Sequence, residues 1–242
     1  MSIALELAVQ DPAGVRIARE IGAARVELTQ ALALGGLTPS PATVELAVEA
    51  AGGEVEVHVL VRPRAGGFRY DDDELAVTAR DIRHMLDHGA TGVVIGCQDD
   101  SGALDRDALV RLVDAAGGAS VTLHRVIDVT PDPLAALRVA RELGLRRVLT
   151  SGGASAAIDG LATLRELVRE ADGRIQVMAG SGVDASNAAE IAATGVDALH
   201  FSAKRAVSAS GGVRMGSASD GVGGYEVTDR AAAIATVAAL RP

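Results

Sequence analysis

The sequence predicts an α/β chain folded as one closed, parallel, eight-stranded βα-barrel, and three observations carry that prediction. Short apolar runs alternate with amphipathic segments from end to end, the pattern of repeated βα units. Four segments share one form: Gly22-Ala-Ala-Arg-Val26, Gly89-Ala-Thr-Gly-Val93, Gly144-Leu-Arg-Arg-Val148 and Gly195-Val-Asp-Ala-Leu199. In each, a glycine able to close a helix in the left-handed region is followed by entry into an apolar strand. They precede strands two, four, six and eight, so the repeat spans two βα units. The length of 242 residues matches the usual size of a TIM-type (βα)8 barrel, about 250 residues. The rival is an open doubly wound sheet, but no Gly-x-Gly-x-x-Gly follows the first strand.

In chain order, the first strand is expected near Ala4–Val9, where an apolar run is interrupted by Glu6. Asp11-Pro12 then opens a helix, a capping side chain placed before a proline at the first helical position. Strand two falls near Arg25–Leu28, and Ser40-Pro41 opens the next helix in the same way. Strand three lies near Val55–Val61, followed by a helical pattern over Glu74–His88 and strand four near Gly92–Ile95. Strand five is expected near Ser120–Leu123, with Thr130-Pro131 as the next helix start. Strand six lies near Arg147–Thr150, the helix after it over Leu161–Glu170, and strands seven and eight near Ile175–Ala179 and Asp197–Phe201. The whole chain, 1–242, reads as one domain. Val207–Val227, with six glycines and four serines, has no apolar period. It reads as a flexible loop, either disordered or a flap over the barrel mouth.

Composition removes several function classes. Hydrophobic residues make up 48% and charged residues 23% of an ordinary globular composition. A net charge of −9 and the lack of a basic stripe argue against nucleic acid as a partner. With no Trp, two Phe and two Tyr, base-stacking platforms are also hard to build. No apolar run is long enough to span a bilayer, and Glu6 arrives too early for a secretory apolar core. The single cysteine, Cys97, excludes an intrachain disulfide framework and points to a reducing compartment, the cytoplasm.

Side chains alternate along a strand, so polar residues at every second position of an apolar run face the barrel interior. By that parity Glu6, Glu27, His58, Arg62, His124, His200 and Ser202 turn inward or toward the mouth. Buried charge is costly unless paired. A structural network, with Glu6 or Glu27 paired to Arg62 or Arg125, explains any one of these residues. The set, converging on the strand ends, points to a ligand site. Glu27, His124 and Glu6 are the acid–base candidates, because carboxylates and imidazoles titrate near neutrality with modest tuning.

Three glycine-rich turns follow strands directly: Pro63-Arg64-Ala-Gly-Gly67, Thr150-Ser-Gly-Gly153 and Gly180-Ser-Gly182. Exposed N–H groups at such turns can cradle phosphate or carboxylate, and arginine forks add donors. The expected anion-holding residues are Arg62, Arg64, Arg125, Asp128, Ser151, Gly152, Gly180 and Gly182, with His58, His200 and Ser202 beside them. His84 and His88, four apart on one helix, fit the helix dipole better than a metal. Lys204, the one lysine, lies outside an apolar strand and is a poor Schiff-base candidate.

Glu27-Leu28 leading to Gly35-Gly-Leu-Thr-Pro-Ser40, the run Arg62-Pro-Arg-Ala-Gly-Gly-Phe-Arg-Tyr70, and Val121-Thr-Leu-His-Arg-Val-Ile-Asp128 together resemble the CutC family, which is named for copper homeostasis. Val148-Leu-Thr-Ser-Gly152, Met178-Ala-Gly-Ser-Gly182 and His200-Phe-Ser-Ala203 extend the resemblance along nearly the whole chain. It implies a cytosolic βα-barrel, a homo-oligomer (dimer or tetramer), and copper as nominal ligand. Where the family's copper binders carry thiols, this chain has Ala8, Thr29 and Phe201. Cu(I) prefers soft sulfur ligands, which leaves Cys97 as the weak metal candidate and Met178 as the other soft group near the mouth. Two functions stay open on these residues. One is a barrel binding a small anionic molecule, working as an enzyme through Glu27 and His124 in one version. The other is a non-catalytic copper-handling protein.

Overall fold

The computed structural model describes residues 3–208 and 224–240. Eight parallel strands close a barrel in sequence order: β1 (Ala4–Val9), β2 (Arg25–Leu28), β3 (Glu56–Leu60), β4 (Gly92–Ile95), β5 (Ser120–Leu123), β6 (Arg147–Thr150), β7 (Gln176–Gly180) and β8 (Ala198–Phe201). Closure is made by β8 pairing with β1, with Glu6 opposite His200. Helices fill the crossovers: α1 (Pro12–Glu20), α2 (Pro41–Ala51), α3 (Asp72–Asp87), α4 (Arg106–Ala115), α5 (Pro133–Glu142), α6 (Leu161–Ala171), α7 (Ala188–Ala192) and α8 (Arg230–Ala238).

The strand parity follows from where apolar surface can be buried. Leu5, Leu7 and Val9 of β1, Val26 and Leu28 of β2, and their counterparts around the barrel join the large core between sheet and helices. The alternate positions face the axis. There a second, small apolar cluster of Leu149, Met178 and Ala198 shares the interior with Glu6, Arg25, His58, Thr122 and Arg147, all buried. Two layers with different chemistry are thus written into one alternating pattern.

The repeat glycines behave as expected: Gly22, Gly89, Gly144 and Gly195 all have positive φ, at +71°, +95°, +77° and +90°. The caps at Asp11 and Ser40 accept from Gly14 N and Thr43 N. The third expected helix start needs correction. Helix α5 is capped not by Thr130 but by Asp132, whose carboxylate accepts from Ala135 N at 2.9 Å, with Pro133 in its first turn. Thr130 instead donates to Ile127 O at 2.8 Å and closes a short 3-10 segment, Arg125–Val129. Two residue pairs of the same type lay side by side, and the aspartate, the better cap, took the helix.

The expected loop Val207–Val227 falls largely at 209–223, outside the described residues. Its two ends pair: β9 (Lys204–Ser208) and β10 (Gly224–Thr228) form an antiparallel ribbon after β8. Lys204 and Glu226 join across it at 2.8 Å. Among the described residues, no helix is long and apolar enough to cross a membrane.

Candidate functional site: a polar chain rising to the barrel mouth

At the carboxyl ends of the strands lies a cavity of about 480 Å³, lined by Glu27, Arg62, His124, Arg125, His200 and Ser202 among others. A connected set of charges climbs to it through the interior. Arg25 Nε donates to Glu6 Oε2 at 2.9 Å, Glu6 Oε1 meets His200 Nδ1 at 2.9 Å, and His200 Nε2 stands 3.8 Å from Glu27 Oε2. Strand register makes this set, since Glu6 lies opposite both Arg25 and His200. Gly180 gives His200 its room. A Cβ there would stand 2.6 Å from Leu149 Cδ1 and 3.2 Å from His200 Cβ.

The two carboxylates diverge because their neighbours differ. Burial works against the charge on Glu6, but the His200 hydrogen bond and the charges of His200 and Arg25 outweigh it and hold its pKa at about 2. Glu27 has no such bond. Burial pushes its carboxyl up to about 7, with the charge of His200 opposing and that of Glu6 adding. For His200, burial works against the cation, yet Glu27 and Glu6 beside it raise its pKa. Glu27 and His200 therefore form a unit able to take up or release a proton at the cavity floor near neutral pH.

His124 takes a different part from the one its sequence position suggests. Its Nδ1 accepts from Val126 N at 3.1 Å as the cap of the 3-10 segment, which leaves the proton on Nε2. Burial and the nearby Arg62 charge drive its pKa down to about 3. In this state it is neutral and presents a fixed donor at Nε2, a different part from the titrating one the sequence suggests. Its ring packs on Phe68 at 4.7 Å and over Gly96, where a Cβ would stand 2.5 Å from His124 Cε1. The Nε2 atom is buried and, among the described residues, has no hydrogen-bond partner.

The turns after the strands fare unequally as anion cradles. The Thr150–Gly153 turn is already filled, from within. The Asp128 carboxylate accepts from the N–H groups of Ser151 and Gly153 at 3.0 Å, from Ser151 Oγ at 3.0 Å and from Arg125 Nε at 2.8 Å. Ser151, Asp128 and much of Arg125 are thereby committed to one another, and the Gly152 N–H is taken by Thr150 Oγ1 at 2.9 Å. The N–H groups expected to hold a ligand anion are taken here by the chain's own Asp128 carboxylate. The Gly180–Gly182 turn differs. Ser181 and Gly182 have φ of +86° and +67°, held by Ser181 Oγ donating to Ser155 O at 2.8 Å. Among the described residues, no acceptor meets the N–H groups of Ser181, Gly182 or Val183, and all three residues line the cavity.

The arginines after β3 divide. Arg62 lines the cavity with its guanidinium 5.1 Å from the Phe68 ring. Its Nη1 donates to Leu34 O and Gly36 O at 3.1 Å, and Nη2 to Gly66 O at 2.6 Å. It chiefly knits two loops together. Arg64 turns to solvent, pairs with Glu74 and stacks on Tyr70. It does not line the cavity, which corrects its expected role. His58 also stands apart, low in the barrel and away from the mouth. Cys97 is buried on the helix side of the barrel, outside the cavity, and burial pushes its thiol up to about 12. Met178 lies inside, against Arg25 Nη2. Sequence reasoning missed Arg25 and Arg147, although Arg25 shares the parity of Glu27. It also missed Phe68, whose loop position carries no periodic signal.

The oxygen and nitrogen atoms of Glu6, Glu27 and His200 lie within 4.8 Å of one another and could hold a cation. Arg25 already neutralises Glu6, and the set offers no sulfur. As a Cu(I) centre it does not fit.

Comparison with known proteins agrees with the geometry in one respect. The CutC family model matches residues 3–205. A CutC family protein of Caulobacter vibrioides is 47% identical over 201 residues, covering 83% of this chain and 81% of its own length. One of Xanthomonas campestris is 40% identical over 226 residues, 93% of each chain. In three dimensions, a Streptococcus agalactiae protein bearing the name copper homeostasis protein CutC is 30% identical with a TM-score of 0.78. That match covers 82% of this chain and 97% of that one. A thiamine phosphate pyrophosphorylase of Pyrococcus furiosus, at 17% identity and a TM-score of 0.59, shares the fold alone. With the barrel closed in sequence order and the resemblance running through every strand, the chain belongs to the CutC family.

Proposed function

We propose that this CutC-family barrel binds a small organic anion in its mouth. The observation that carries the reading is His124 Nε2, a buried donor without a partner on the cavity wall. Ser181, Gly182 and Val183, whose N–H groups meet no acceptor among the described residues, line the same cavity, and Leu34, Leu60 and Phe68 offer an apolar wall for a carbon skeleton. About three hydrogen bonds to an anion, each contributing roughly 1.5–3 kcal/mol, suffice to retain a free ion weakly and to anchor a larger molecule. Calorimetric titration with malonate and inorganic phosphate tests this. His124→Phe, which keeps the ring on Phe68, should weaken binding about tenfold, the loss of one such bond. No heat with either anion, or an affinity indifferent to His124→Phe, contradicts the reading.

A second reading, acid–base catalysis on the bound anion, is supported by Glu27 with its pKa near 7 beside His200. Exchange of carbon-bound protons for deuterium in a panel of small keto acids and sugar phosphates would reveal it. The exchange should vanish in Glu27→Gln. Copper handling carries over from the family name and the named relative. Among the described residues, Cys97 and Met178 do not line the mouth, so we place no Cu(I) on them there. A single buried thiol suits the cytoplasm.

A further inference from the structure

The opposite end of the barrel, where the strands begin, holds a second polar pocket of about 480 Å³. Arg25, Arg146, Arg147, His58, Glu56 and Gln176 line it. In this fold that end ordinarily carries stability and not ligand chemistry, and a plug of paired polar groups would be the expected content. The pairing is incomplete. His58 is wholly buried, yet among the described residues neither ring nitrogen has a hydrogen-bond partner, and Glu56 Oε2 comes only to 3.4 Å of Nε2. Its ring is accommodated by Gly92, where a Cβ would meet it at 2.7 Å.

The guanidinium groups are likewise only partly engaged. Arg147 donates from Nε to Gln176 Oε1 at 3.0 Å and from Nη1 to Thr122 Oγ1 at 3.1 Å. Arg25 donates to Glu6 and, weakly, to Met178 Sδ. Among the described residues, Arg147 Nη2 and Arg25 Nη1 have no acceptor. Glu6 is consumed by Arg25 and His200, so among the described residues lining the pocket only Glu56 offsets Arg146 and Arg147. The buried, unpaired imidazole costs free energy unless a further group satisfies it, and the free guanidinium nitrogens of Arg25 and Arg147 belong to residues lining the same pocket. The crowding shows in Arg147, whose pKa burial and the charge of Arg25 lower to about 10.

We propose that this pocket binds a small oxyanion, a phosphate- or carboxylate-bearing molecule, at a site separate from the mouth. Guanidinium forks match such groups bidentately, and His58 supplies a ring N–H to a further oxygen. Bound anion replaces the missing acceptors of Arg25, Arg147 and His58 at once. His58, otherwise held neutral with a pKa of about 4 by burial and by the charges of Arg147 and Arg25, against those of Glu6 and Glu56, then moves toward its ordinary range.

The test is a pyrophosphate and phosphate titration of the full chain, followed through the ring signals of its five histidines by NMR. The His58 signals should move saturably, and the His58 pKa should rise when the anion is present. Arg147→Gln should weaken that response about tenfold or more while leaving the His124 response unchanged. If Arg147→Gln fails to fold, Arg146→Ala, at an exposed position, should weaken it a few-fold. His58 signals that stay still up to about 50 mM anion, far above what charge-assisted contacts of this strength require, would overturn the proposal. So would a response that folded Arg147→Gln or Arg146→Ala leaves intact. The mouth reports through His124 and His200. Movement there with His58 still sinks this site alone, and movement of His58 with those two still sinks the mouth reading alone.

Discussion

At the scale of single residues, Glu27 and Cys97 say most about what the mouth can do. Glu27 keeps its proton to about pH 7 in the fold, whereas in an unfolded chain it would lose it near pH 4.3. Between those values the folded state holds the extra proton, so this group's contribution to stability falls as pH rises. His200, raised by its carboxylate neighbours, works in the same direction as pH passes its folded pKa. Glu27→Gln removes the burden. Urea unfolding should show the variant gaining on the wild type from pH 5 to pH 8 by about 2–3 kcal/mol. Equal pH slopes in the two proteins would contradict the assignment. Cys97, buried and with its thiol near 12, presents no thiolate. Competition against a chelator should therefore show weak Cu(I) binding that Cys97→Ser leaves unchanged. Tight stoichiometric binding would mean that sulfur reaches the mouth after all.

At the scale of elements, the turns after the strands decide which expected site residues are free to meet a ligand. Asp128 fills the cradle after β6, so Asp128→Ala strands two backbone N–H groups and Arg125. Chemical denaturation should show a loss of roughly 2–5 kcal/mol. Formate should restore part of it by occupying the vacated seat. A loss under about 1 kcal/mol would place the variant among ordinary surface changes and the seat among unimportant contacts. On β4, Gly96→Ala presses on His124 and Val126. It should cost about 1–3 kcal/mol by overpacking and weaken anion binding along with it.

The strands and most helix starts were legible because burial on one face writes a period of two, and capping chemistry marks the helix ends. The strand bounds near Ala4, Arg25, Gly92, Ser120 and Arg147 follow from that period. Side-chain partnership was not legible. The sequence shows Asp128 and the Thr150–Gly153 turn as two separate anion features, and only folding shows that they satisfy each other. The same holds for His124, whose neutral state depends on burial and on Arg62 nearby, and whose tautomer is set by the cap to Val126.

At the scale of the molecule, the barrel has two unlike polar ends joined through its interior. Arg25, Glu6, His200 and Glu27 run from the strand starts to the strand ends by contacts of 2.9, 2.9 and 3.8 Å. The apolar cluster of Leu149, Met178 and Ala198 fills the axis beside them. This arrangement buries charge where hydrophobic residues would pack more simply, which is the pattern of a fold that keeps polar groups for a site.

On our proposal the mouth holds a small anion through His124 and the turn after β7. The most direct measurement is a crystal structure from crystals soaked in malonate or phosphate. An oxyanion is expected in the mouth cavity, within about 2.7–3.2 Å of His124 Nε2 and of a backbone nitrogen of Ser181–Val183. A mouth occupied only by water at saturating anion, with His124 Nε2 bonded to that water, would contradict it.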